Sequence, residues 1–144
     1  MNNPWKNLPR REPYVLDIDK EIIERYNERG NPKIFLNHPL DPYLGNPNAN
    51  LVLLNGNPGH SQAEVDYCRQ NKRFIEANRK NLLHEPLAYP FYALDPRFQN
   101  WSGYLWWNRK LRSLIAEFNS VRDLSKKIFL FNKNFSGLKE KYRK

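Results

Sequence analysis

The residues best suited to chemistry gather in one short stretch, Asn55-Gly56-Asn57-Pro58-Gly59-His60-Ser61. The amides of Asn55 and Asn57 can hold a water molecule or read the polar edge of a ligand. Gly56 and Gly59 let the backbone approach that ligand closely, and Pro58 stiffens the bend. His60 can donate to a carbonyl or a phosphate. A helix starting directly behind the turn adds unpaired N–H donors. By residue type alone this is a generic polar pocket, and the same residues also suit an ordinary tight strand-to-helix turn.

Other reactive types are more scattered. Glu64 and Asp66 are a carboxylate pair that usually marks a solvated helix face, and His38 and His84 fall in irregular segments. The single cysteine, Cys68, has no partner for an internal disulfide and reads as a small core residue on a helix. No Cys/His spacing resembles a zinc site, so neither metal nor cofactor is expected. Arg109, Lys110 and Arg112 interleave with Trp106, a mixture suited to phosphate contact and base stacking and equally to a solvated face.

The elements that must position these groups follow from patterning. Leu51-Val52-Leu53-Leu54 is a continuous apolar run, which predicts a strand buried on both faces in the middle of a parallel sheet. It runs straight into the Asn/Gly/Pro turn. Ser61 with Glu64 then forms an S-x-x-E capping box, so a helix begins there. Residues 102–118 predict a further helix whose stripe of Tyr104, Trp107, Leu111, Leu114, Ile115 and Phe118 faces the core, with Trp106 left off the stripe. Ser120 and Asp123 start a short turn, and Lys127-Ile128-Phe129-Leu130-Phe131 reads as a second buried strand.

Upstream, Asp17 or Asp19 caps a helix running to about Arg29 and ending at Gly30, with Ile22, Ile23 and Tyr26 packed on the core. Residues 1–16 are punctuated by proline and wrap the surface. Residues 31–50 carry Pro32, Pro39, Pro42 and Pro47 and read as extended loop with a short strand possible at 33–36. Strand, helix, helix, strand is an α/β order, which predicts a mostly parallel sheet with ligands bound beyond the carboxyl ends of its strands, where residues 55–60 lie.

Composition narrows the class. The chain of 144 residues falls in the single-domain range, here 1–132 with a basic tail at 133–144. Apolar residues make up 40% and aromatics 14%, too many for a disordered chain, while 11 prolines promise long irregular connections. No apolar run approaches the roughly 18 residues of a membrane helix, and residues 1–12 lack a signal peptide's apolar region, so a cytoplasmic protein is expected. A net charge of +9 raises the local concentration of a polyanion, with DNA the leading partner.

Leu53-Leu54-Asn55-Gly56-Asn57-Pro58-Gly59 resembles the first active-site motif of the mismatch-specific branch of the uracil-DNA glycosylase superfamily. Tyr89-Pro90-Phe91-Tyr92, followed by Trp106-Trp107, resembles that branch's aromatic loop and the helix after it. The resemblance spans about residues 50–118. It implies a three-layer α/β sandwich with a short central sheet, Asn57 as the water-positioning catalytic residue, and Phe91 or Tyr92 stacking on an extruded base. Asn55, Gly56, Pro58, Gly59 and His60 would line the pocket, and Arg109, Lys110 and Arg112 would face nucleic acid.

The chemistry suits these types, because N-glycosidic cleavage needs a placed water, support for the departing base anion and a pocket for a flipped base. The family's second motif is matched only by Asn134-Phe135-Ser136-Gly137-Leu138, which lacks the proline and arrives early, so the expectation is an incomplete or divergent member. Two other readings fit the residues: a non-catalytic relative binding nucleic acid through its basic surface, and an α/β domain holding a small anionic ligand at the helix start 59–61.

Overall fold

A computed structural model of the chain describes residues 3–30, 34–56 and 61–132. At its centre is a three-stranded mixed sheet in the order β1-β3-β2, formed by β1 (Tyr43–Gly45), β2 (Leu51–Asn55) and β3 (Ile128–Asn132). Strands β2 and β3 run parallel, with Leu51 opposite Ile128 and Asn55 opposite Asn132, as the α/β order of elements requires. Strand β1 runs antiparallel to β3.

The central position belongs to β3 and not to β2, which corrects the expectation drawn from the Leu-Val-Leu-Leu run. Strand β2 lies at the edge of the sheet and alternates: Leu51, Leu53 and Asn55 are half-buried, whereas Val52 is 58% and Leu54 77% exposed. Phe131, opposite Leu54, is exposed on the same face. An apolar run shows that a strand can be buried on both faces; the number of layers packed on the sheet decides whether it is.

Strand β1 lies within a stretch whose prolines predict loop. Gly45 makes it possible, because its φ of +100° lies in the left-handed region and a Cβ there would fall 2.2 Å from the Ile128 carbonyl oxygen. From the neighbouring helix, the Asn81 side chain accepts from Gly45 N and donates to Tyr43 O, both at 2.9 Å, so one amide occupies the outer edge of β1 as a further strand would. Residues 34–36 form no strand.

Six α-helices lie among the described residues. The first, α1 (Asp17–Arg29), stops at Gly30 as expected, but neither aspartate caps it: Leu16 is the N-cap, without a side-chain bond, and Asp17 and Asp19 lie in the first turn. The helix buries no residue, with Ile18, Ile22 and Tyr26 exposed and Ile23 half-buried. The Ser61 side of the expected capping box is formed, since Ser61 Oγ accepts from Glu64 N at 3.3 Å to start α2 (Gln62–Gln70). Asn71 stops α2 and caps α3 (Lys72–Leu82) by accepting from Phe74 N. The expected helix at 102–118 is broken at Leu111 into α4 (Ser102–Lys110) and α5 (Arg112–Glu117), and its stripe faces the core as the spacing predicts, with Trp107 and Leu111 buried. Ser120 caps α6 (Val121–Lys127), which leads directly into β3.

The core sits against the inner face of the sheet and is built from aromatic edges. Phe74 packs against Tyr92, Phe98 and Trp101 with centroids 4.7–5.5 Å apart, and Phe91 meets Trp107 at 5.2 Å. The N-terminal segment wraps α3, as its composition predicts: Leu8 and Leu16 join Leu82 in a second cluster, and Arg79 donates to Leu8 O at 2.8 Å. No helix among the described residues is long and apolar enough to cross a membrane.

Candidate functional site

Strands β2 and β3 both end in asparagine, and the parallel register sets these two residues side by side. Asn55 Nδ2 donates to Asn132 Oδ1 at 2.9 Å, and Asn132 Nδ2 donates to the backbone oxygen of Asp41. This amide chain floors a cavity of about 390 Å³ at the carboxyl ends of the parallel strands, the place the α/β order predicts. Ser61 and Glu64 at the start of α2, Ser102 and Gly103 at the start of α4, and Trp101, Trp106 and Trp107 complete its wall with Asp41 and His38.

Three features give the cavity its chemistry. The first is Asp41, whose buried carboxyl is pushed above the ordinary carboxylate range, chiefly because burial penalises the charge, with His38 nearby opposing the shift. Its Oδ1 accepts from Asn78 Nδ2 at 2.8 Å and Tyr92 Oη at 3.0 Å, both neutral donors. The second is Trp101, 5% exposed, whose Nε1–H finds no acceptor among the described residues. The third is Trp106, standing edge-on to Trp107 with Lys110 Nζ 5.5 Å from its ring centroid, which brings a positive charge to the rim. Gly103 is required beside Trp101, since a Cβ would fall 2.3 Å from the indole.

A wall of linked amides, an indole donor and a carboxyl held toward its neutral form suits an uncharged heterocycle with donors and acceptors on its edge. Glu64 lines the same space and disfavours a small anion there.

The sequence-derived candidates are distributed unevenly. Asn55 lies on the cavity floor. Gly56 follows it with open space where a Cβ would project. Asn57, Pro58, Gly59 and His60 lie outside the described residues, as does the Asn134–Leu138 lookalike. Phe91 and Tyr92 are wholly buried and not among the cavity's lining residues: Phe91 packs edge-on against Trp107, and Tyr92 hydrogen-bonds Asp41. In this arrangement the rings beside the space are those of Trp101, Trp106 and Trp107, of which Trp106 is the exposed one, and Phe91 supports Trp107 from behind. Arg109 and Arg112 are exposed on α4 and α5, and Lys110 sits over Trp106. Of the carboxylate pair, Glu64 lines the cavity and Asp66 instead accepts from Gln62 at 2.9 Å.

Asp41 and Asn132 are the functional candidates that sequence reasoning missed. One signal was present for Asn132: both apolar strands, LVLLN and IFLFN, close on Asn at the same register. Among the described residues no group of three or more His, Cys, Asp or Glu could hold a metal ion. No protein-family model, curated protein or solved structure matches the chain.

Proposed function

We propose that this protein binds a nucleobase, presented by DNA, in the cavity at the carboxyl ends of β2 and β3, and that it is a uracil-DNA glycosylase-like protein hydrolysing the N-glycosidic bond of that base. The observation that carries the reading is the cavity itself: a heterocycle-sized space floored by the Asn55–Asn132 amide pair, with a tryptophan at its rim. A flipped base needs both hydrogen bonds to its edge and a ring to cover its face. In the proposed roles the amides of Asn55 and Asn132 read the base edge, Trp106 covers the base, and Lys110 with Arg109 and Arg112 meets phosphate. Asn57 positions the water, a role that rests on the resemblance of residues 53–59 to the first glycosylase motif. The face that carries Val52, Leu54 and Phe131 is exposed among the described residues, and no second helical layer is proposed there.

The test is incubation with a labelled duplex bearing one uracil opposite guanine, scored for abasic sites, beside Asn57→Ala and Trp106→Ala. Release by the native chain, lost in both variants, supports the full reading. Tryptophan quenching by free uracil without base release leaves a base-binding protein and removes the glycosylase chemistry. Absence of both rejects the cavity as a base site. Binding to DNA that collapses with salt and ignores base identity would favour the non-catalytic alternative, for which the net charge of +9 is the supporting observation.

A further inference from the structure

A second concavity, of about 590 Å³, lies between the N-terminal segment and helices α2 and α3. Its charged lining is one-sided: Arg10, Arg11, Arg69, Lys72 and Arg79 face it against Glu12 and Glu76. Both carboxylates are already engaged. Glu12 accepts from Arg69 through both of its oxygens at 2.8 and 2.9 Å, and Glu76 lies 3.7 Å from Lys80. Arg79 is held by the neutral carbonyls of Leu8 and Lys6, which fixes its guanidinium without cancelling its charge. None of the ion pairs among the described residues involves Arg10, Arg11 or Lys72.

The position of Lys72 points the same way. It opens α3, followed by Arg73, and the first turn of that helix contains no acidic residue. A helix N-terminus carries the positive end of the macrodipole, so two cations there oppose helix stability unless an anion joins them. Between the cations the groove is lined by Tyr14, Ile75, Leu8, Pro9 and Pro39, an apolar and aromatic surface that a bare phosphate would not use.

We propose that this groove binds single-stranded nucleic acid, its phosphates on Arg10, Arg11 and Lys72 and a base against Tyr14. Alternating cations and ring or aliphatic surface suit a single strand, whose bases are free to stack, better than a duplex, whose bases are not. The groove uses none of Trp101, Trp106, Asn55 and Asn132, so this site and the base cavity stand or fall separately.

The experiment is fluorescence anisotropy of a labelled oligo-dT strand titrated with the full chain at several salt concentrations. Two triple variants of equal charge are compared, Arg10→Ala/Arg11→Ala/Lys72→Ala in the groove and Lys20→Ala/Arg29→Ala/Lys127→Ala away from it. All six side chains are exposed, and the thermal midpoint of each variant confirms that it is folded. Losing three phosphate contacts should lower the slope of log affinity on log salt by about 2 and weaken binding by roughly 10- to 100-fold near 0.1 M salt. The remote variant should retain most of the native slope. Equal loss in both variants would overturn the proposal, because affinity would then follow net charge and not the groove. Tyr14→Leu should weaken oligo-dT binding several-fold and leave heparin binding unchanged; an equal effect on both ligands would overturn the stacking contact and with it the assignment to a single strand.

Discussion

Replacing Asp41 by Asn tests whether the cavity holds a carboxyl that resists ionisation. In the native chain Asp41 Oδ1 accepts from Asn78 and Tyr92, and an asparagine Oδ1 can accept the same two bonds. The substitution therefore keeps the network and removes the titration. Burial raises the folded-state pKa of Asp41 above that of the unfolded chain, which lies near 3.9. Below about pH 3.9 both states are protonated and the group costs nothing. As pH rises from there toward the raised folded value, the unfolded chain releases a proton that the folded one keeps. Stability is lost across that window, at up to about 1.4 kcal/mol per pH unit for one proton.

Urea unfolding of the native protein and of Asp41→Asn should therefore be followed in steps from pH 4 to pH 8. The expected result is a stability difference that moves in favour of the variant as pH rises. Any fixed cost of the new amide hydrogens shifts the whole curve without changing its slope. A difference that stays flat within about 0.3 kcal/mol across the range would refute the reasoning, since Asp41 would then titrate alike in both states. Asp41→Ala removes the same titration and also strips the acceptor from Tyr92 and Asn78, so its stability curve should run parallel to that of Asp41→Asn and about 1–3 kcal/mol below it.

Three further outcomes follow from the same geometry. Gly45→Ala should lower stability by about 1–3 kcal/mol or more in thermal unfolding, because the new methyl meets the Ile128 carbonyl in a left-handed backbone; a neutral result would mean that β1 does not pass so close to β3. Leu54→Ser should change stability by no more than about 0.5 kcal/mol, whereas Leu130→Ala should cost about 2–5 kcal/mol, and a large loss at Leu54 would show that the outer sheet face is covered in solution. The Cys68 thiol is pushed up to about 12 by burial first and by the charges of Asp41, Glu64 and Glu12 after it, so thiol reagents at pH 8 should label it only on denaturation.

Local chemistry was legible from the residues alone wherever the cause lies within a few positions. The Ser61 cap, the end of α1 at Gly30, the inward stripe of α4 and α5, and the parallel pairing of two apolar strands through a helical crossover each arise from nearest-neighbour sterics and short-range periodicity. The location of the cavity was legible for the same reason, because a strand running into a turn and a capped helix leaves its carboxyl end open.

What the tertiary structure decided was every question of partnership. Leu54 is as apolar as Leu53, yet the core packs on only one face of the sheet, and strand alternation turns Leu53 toward it and Leu54 away. Ile22 and Tyr26 form a good apolar face that the described residues leave exposed, because amphipathicity states a capacity for packing and not its fulfilment. Asp41 reads as one more loop aspartate until Asn78 and Tyr92, 37 and 51 residues away, close around it. Asn132 becomes part of a site only when the sheet sets it beside Asn55, 77 residues earlier. Burial, and with it the tuning of a carboxyl or an amide, is a property of neighbours that the chain brings together only on folding.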